Sequence, residues 1–154
     1  MQQEKNQQGF SLVELLIVVA IIGIIAAIAI PNLISSRQAA NEAAAIQGVR
    51  TICSAQASFY NTSGNGTYGD LQALKATSLL DPLLAGATTI SKSRSGYIYN
   101  IGNPSTTDFV LGAAPINNYT GTRNFTTDGV GIIYSSSATP GVIPTATSGS
   151  PIGN

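Results

Sequence analysis

Residues 15–30 read LLIVVAIIGIIAAIAI, with no polar side chain at any position. The run reaches back through Leu12 and Val13 to Phe10, and Pro31-Asn32 interrupts it. From Phe10 to Ile30 is about the length a helix needs to cross a bilayer. A helix in a soluble core would keep a polar face, and this one has none. No charged residue lies between Glu14 and Arg37. That distribution says more than the totals do. The chain has 154 residues, 7 Lys+Arg against 7 Asp+Glu, and only 9% charged residues, where about 25% is usual. Hydrophobic residues make up an ordinary 44%, so Gly, Ser, Thr and Asn do the solubilising.

These totals exclude several function classes. The length suits one domain. The sequence shows no basic patch of the kind that binds nucleic acid, and too little net charge for a disordered acidic tail. With no His, histidine metal sites and histidine-based triads are impossible. With Cys53 alone, neither an intramolecular disulfide nor a thiolate zinc cluster can form.

Three readings compete for the apolar run. A secretory signal peptide fits Lys5 and the small-x-small triplet Ala27-Ile28-Ala29. A plain single-pass anchor fits the length. Neither gains anything from Glu14, whose carboxylate within a span costs about 2.5–3.5 kcal/mol even on the lenient insertion scale. Such a residue marks function by default and needs a partner.

The residues before it supply one. Gly9-Phe10-Ser11-Leu12-Val13-Glu14-Leu15 resembles the processing site of the type IV pilin family, in which a short polar leader ends in Gly. Gly9, Phe10 and Glu14 stand at the family's positions, and the long apolar run and Pro31 match as well. The resemblance implies that a prepilin peptidase/methyltransferase cuts after Gly9 and N-methylates Phe10. It also implies that Glu14 meets the Phe10 amine of a neighbouring subunit during assembly. The spacing agrees, since cleavage would create a cationic amine one helical turn from Glu14 on the same face. An intrachain pair and an intersubunit pair are both compatible with that spacing. Charge does not settle topology, because Glu4 offsets Lys5 and Arg37 lies on the far side. The resemblance puts the leader in the cytoplasm.

Beyond the run the pattern changes. Pro31 lacks a donor and clashes with the preceding turn, so a kink or local unwinding is expected near residues 28–32, with Gly23 a second weak point. In the pilin family this stretch melts as subunits leave the bilayer. Residues 32–60 are rich in Ala, Gln, Glu and Arg, and Ile46, Val49, Cys53, Ala57 and Tyr60 repeat at three- and four-residue spacing, one stripe of an amphipathic helix. Arg37, Glu42 and Gln47 lie away from its centre. The loop chemistry of residues 61–66 ends the helix, which makes it about 75 Å long from Phe10 to Tyr60.

The remainder predicts an α+β head. A short helix or turn is expected over residues 71–76. Strands are expected at residues 96–101, 109–113, 124–127 and 131–134, and Asp128-Gly129 signals a hairpin. Three to four antiparallel strands should cover the amphipathic half of the helix, with a loose, exposed Ser/Thr-rich tail from Pro140. Family relatives often close a C-terminal loop with a disulfide; this chain must hold its own by other means.

Little else carries chemistry. Asp70, Asp81, Asp108 and Asp128 are scattered and read as turn and surface aspartates. Related secretion pseudopilins bind calcium in a C-terminal loop, to which Asp108 or Asp128 could contribute, but no metal or cofactor is expected. Cys53 reads as a buried, inert thiol. Asn61, Asn65, Asn118 and Asn124 match the short glycosylation pattern. No nucleophile has a base, so the chain is not expected to be an enzyme.

The expected organisation is a leader (1–9), a transmembrane and assembly helix (10–31), its amphipathic continuation (32–60) and a head with tail (61–154). The resemblance implies a structural subunit of a surface pilus, first held in the inner membrane. Its implied partners are copies of itself, the processing enzyme, the inner-membrane assembly machinery and the membrane, with no nucleic acid. The alternatives are a pseudopilin of a type II secretion system and a membrane-anchored or secreted binding domain that never polymerises.

Overall fold

The computed structural model describes residues 9–152; most of the expected leader lies outside them. The chain divides into two units, Met1–Ser35 and Ser36–Asn154.

Helix α1 spans Leu12–Asn61 and contributes to both units. It starts just after Ser11. Glu14 sits three residues later and its Oε2 accepts the Ser11 N–H at 2.8 Å, half of the reciprocal bonding of a capping box. Helical structure runs unbroken through Pro31. Near it, Asn32 Nδ2 donates to the Ile28 carbonyl at 3.1 Å and Ser35 Oγ to the Pro31 carbonyl at 3.2 Å.

In the second unit α1 is followed by α2 (Leu71–Ala76), α3 (Pro82–Ala85) and a short 3-10 turn at Ile90–Lys92. Five strands follow: β1 (Tyr97–Gly102), β2 (Val110–Pro115), β3 (Arg123–Thr127), β4 (Ile133–Ser137) and β5 (Ser150–Pro151). They form one antiparallel meander in chain order. The α+β expectation of a long helix on a small antiparallel sheet holds, with one strand more than the three to four foreseen.

The side-chain alternation of a strand sends Tyr97, Tyr99 and Ile101, Leu111 and Ala113, and Phe125 into one core with Ala45, Val49, Ile52 and Ala55 of α1. The buried face of α1 is therefore rotated from the expected stripe. Val49 is shared, Ile46 and Cys53 only flank the core, and Ala57 is exposed. Small residues win because large aromatics stand opposite: a Cβ on Gly48 would lie 2.7 Å from the Tyr99 hydroxyl oxygen. The helix approaches the sheet closely only where it lacks bulk.

The tail is not loose. Ser150 and Pro151 pair with Ser135 and Tyr134, and the Ile152 N–H donates to the Ile133 carbonyl at 2.9 Å. Upstream, the Gly141 N–H bonds the Pro115 carbonyl at 2.8 Å. A Cβ on Gly112 would meet the Pro144 carbonyl oxygen at 2.4 Å, so the tail crosses the outer face of the sheet directly over β2. Strand pairing thus does the work that a disulfide cannot do here. The hairpin at Asp128 forms, but through a five-residue connection in which Gly131, with φ +84°, takes the left-handed position.

Candidate assembly site

The first unit offers one chemical feature. Gly9 and Phe10 precede the helix, both exposed, and Phe10 is 84% exposed. Glu14 lies one turn beyond Phe10, at the helix N-terminus, where unpaired N–H groups and the macrodipole favour a carboxylate. Its Oε2 is satisfied by Ser11 within the chain, and its other oxygen has no hydrogen bond among the described residues. Around this carboxylate the surface is apolar: Leu12, Val13, Leu15, Leu16 and Ile17 are all exposed. In the most apolar eighteen-residue window of α1 no residue is buried. Side chains with this much exposed apolar area are covered by lipid or by other chains. Gly23 has open space around it, with nothing within 4 Å of an added Cβ.

The second unit holds α1 to the sheet through polar bonds that sequence reading missed. Glu42 is buried rather than off the stripe. It accepts the Thr122 N–H at 2.9 Å, the Thr122 hydroxyl at 3.0 Å and Arg123 Nε at 2.9 Å, and it pairs with Arg123 Nη2 at 2.7 Å. Burial pushes its carboxyl up, but the Thr122 and Arg123 bonds outweigh that and hold it below the usual carboxylate value. Gln56, also buried, accepts the Gly69 N–H at 3.0 Å and donates to the Gly69 carbonyl. Gln38 and Asn41 donate to the Asn118 and Thr120 carbonyls at 2.6 and 3.0 Å. A signal for this face was present: 42, 45, 49, 52 and 56 repeat at three- and four-residue spacing, but two of the five are polar.

Each aspartate has a structural task. Asp70 Oδ1 caps α2 through the Ala73 N–H at 2.7 Å, and Asp81 pairs with Arg94. Asp108 Oδ1 accepts the Phe109 and Gly129 N–H groups, each at 2.8 Å, tying two loops together. Asp128 Oδ1 accepts the Val130 N–H at 3.0 Å. Among the described residues no three acidic, Cys or His side chains converge. Cys53 is half-buried, and burial pushes its thiol up to about 11. Asn124 of the glycosylation pattern is buried within β3, while Asn61, Asn65 and Asn118 are exposed.

Comparison with known proteins agrees with this layout. The prokaryotic N-terminal methylation motif matches residues 5–30. The type IV major pilin protein PilA of Myxococcus xanthus is 48% identical over 56 residues, 36% of this chain and 26% of that protein. The chain thus spans about a quarter of that relative's length. The type II secretion system core protein G of Escherichia coli is 28% identical over 72% of this chain and 75% of its own length. The type IV narrow pilus major component PilA5 of Thermus thermophilus is 34% identical over 58% of this chain and 89% of its own length. Motif, helix and head thus coincide in one chain, and it belongs to the type IV pilin family.

Proposed function

We propose that this chain is a structural subunit that polymerises into a type IV pilus, and not an enzyme. The observation that carries the reading is a helix exposed and apolar on every side, with a single carboxylate at its N-terminus. In this reading residues 1–9 form the leader, cleavage follows Gly9, and Phe10 becomes the methylated N-terminus. Methylation keeps the amine cationic while reducing its hydration. Residues 10–31 wait in the inner membrane and then bundle in the filament core. Residues 32–60 carry the head, residues 61–154.

The energetics separate two roles. Exchanging lipid for neighbouring helices is close to neutral for an apolar surface. Exchanging water for them gains about 25 cal/mol per Å², so a subunit stays in the filament and does not dissolve. Register needs something directional. Glu14, already bonded to Ser11, has a free oxygen for the Phe10 amine of an incoming subunit, an opposite charge that low dielectric rewards. Gly23 and Pro31 are the places where α1 unwinds at least cost on leaving the bilayer, because one lacks side-chain support and the other lacks an N–H. The partners are copies of the chain, the peptidase/methyltransferase and the inner-membrane assembly machinery, and the product is a surface filament.

Shearing filaments from cells and sequencing the subunit N-terminus by mass spectrometry tests this. Methyl-Phe10 in sedimentable filaments is the expected result; an N-terminus near Ile30 would favour a cleaved signal peptide. Glu14→Ala should cut filament yield at least tenfold while leaving the membrane pool intact.

The long alignment with the secretion-system protein favours one second reading, a short periplasmic pseudopilus. Calcium-dependent melting of the head would support it.

A further inference from the structure

The sequence shows no basic patch, but the fold assembles one. Lys75 at the end of α2, Lys92 in the 3-10 turn and Arg94 line one open groove with Pro82, Leu83 and Gly86. Three of the chain's 7 Lys+Arg therefore meet within one surface feature. All three are exposed, and Leu83 beside them is 75% exposed. Arg94 pairs with Asp81, while Lys75 and Lys92 have no ion pair among the described residues.

Among the described residues, the head's other aspartates lie elsewhere. Asp108 and Asp128 occupy the β1–β2 and β3–β4 loops, joined by the bond from Gly129 N–H to Asp108 Oδ1. Arg94 bonds Tyr97, where β1 begins, whereas Asp108 follows its far end at Gly102. Strand rise over β1 puts the two groups about 17 Å or more apart. Asp70 belongs to the carboxylate end too, beside Phe59 and Pro104. That end also carries an exposed apolar residue, Val130, 78% exposed. One end of the head thus shows Lys75, Lys92 and the Arg94–Asp81 pair around Leu83, an excess of two cations, and the other shows carboxylates around Val130.

We propose that the Lys75–Lys92–Arg94 groove receives the Asp108–Asp128–Val130 end of a second copy of this chain, head to tail. The match is in charge and in the apolar centre, and the two patches differ, so the contact is heterologous and propagates instead of closing. A net charge of zero fits this use: each head brings both halves of the contact, and identical heads then attract. The inference rests on the polymer reading and adds which surfaces of the head touch.

Cysteine pairs test it in filaments assembled by the full chain in cells. In a Cys53→Ala background, Lys92→Cys with Val130→Cys should give, on oxidation with copper phenanthroline, a ladder of disulfide-linked multimers. Either single variant should stay monomeric. Filaments with no ladder from the double variant, or dimers from a single one, would overturn the inference and leave polymerisation standing. If the unaltered chain forms no filaments, both fall. Separately, Lys75→Glu with Lys92→Glu should lower filament yield about tenfold at low salt, and adding Val130→Lys and Thr106→Lys, the latter at an exposed position of the β1–β2 loop two residues before Asp108, should restore it. Unchanged yield together with lost retention on a polyanion column would assign the groove to an anionic polymer and refute the head-to-tail contact.

Discussion

Replacing Glu42 should cost the head a large part of its stability. Glu42 is 6% exposed, and its carboxylate takes bonds from the Thr122 backbone, the Thr122 hydroxyl and the Arg123 guanidinium. Glu42→Ala leaves the Thr122 N–H without its acceptor, at about 1–3 kcal/mol. It also unpairs Arg123, but that side chain is 47% exposed, so water recovers most of its charge and the Coulomb share is about 1 kcal/mol or less. The sum is about 1–4 kcal/mol. For a head of this size that is a fall in Tm of about 4–16 °C. The pH dependence has a definite sign. The folded carboxyl titrates below its unfolded value of 4.5, so its contribution is complete above about pH 5 and is lost as pH falls through the folded pKa. Urea unfolding of the full chain in detergent, followed by the near-UV signal of Tyr97 and Tyr99, measures both effects. Glu42→Gln should flatten the acid limb below about pH 5. A Glu42→Ala cost below about 1 kcal/mol, or an acid limb unchanged in Glu42→Gln, would refute the claim that this buried carboxylate anchors α1 to the sheet.

Other outcomes follow from the packing. Gly48→Val should destabilise the head by about 1–3 kcal/mol, since its Cβ would begin 2.7 Å from the Tyr99 hydroxyl oxygen; Tyr99→Phe in the same chain should recover part of the loss in the same urea assay. Cys53, with its thiol pushed up to about 11, should react with a maleimide at pH 8 at least a hundredfold more slowly than a free thiol, and a comparable rate would show the site to be open. Truncation after Thr147 removes β5 and the half-buried Ile152, and should cost about 1–2 kcal/mol with faster proteolysis upstream of the cut. An unchanged digestion pattern would mean that the pairing to β4 does not hold the tail.

The apolar N-terminal half of α1 was legible because its physics is local. A run with no polar position, one carboxylate and a Gly-Phe pair at fixed spacing need no partner elsewhere in the chain to be recognised. The N-terminal bond from Ser11 to Glu14 is equally local, a Ser-x-x-Glu pattern. Strands β1 to β4 were legible for the same reason, since alternation and the turn at Asp128 are short-range signals. The sheet's fifth strand was not. Ser150-Pro151 has the composition of a linker, and its pairing exists only because β4 presents a free edge.

What the sequence by itself determined is which half of α1 must avoid water, because hydropathy is a property of single side chains summed along a helix. Only the tertiary structure decided which face of α1 meets the sheet. Gly48 was chosen by the bulk of Tyr99 opposite it, Ala45 and Ala55 share one core with Tyr97, Tyr99 and Phe125, and Glu42 and Gln56 could be buried only because Thr122, Arg123 and Gly69 arrive to satisfy them. It likewise decided where charge gathers, bringing Lys75, Lys92 and Arg94 to one groove from positions up to 19 residues apart. Complementary volume, hydrogen-bond satisfaction and surface charge are relations between distant residues, and they come into being only when the chain closes on itself.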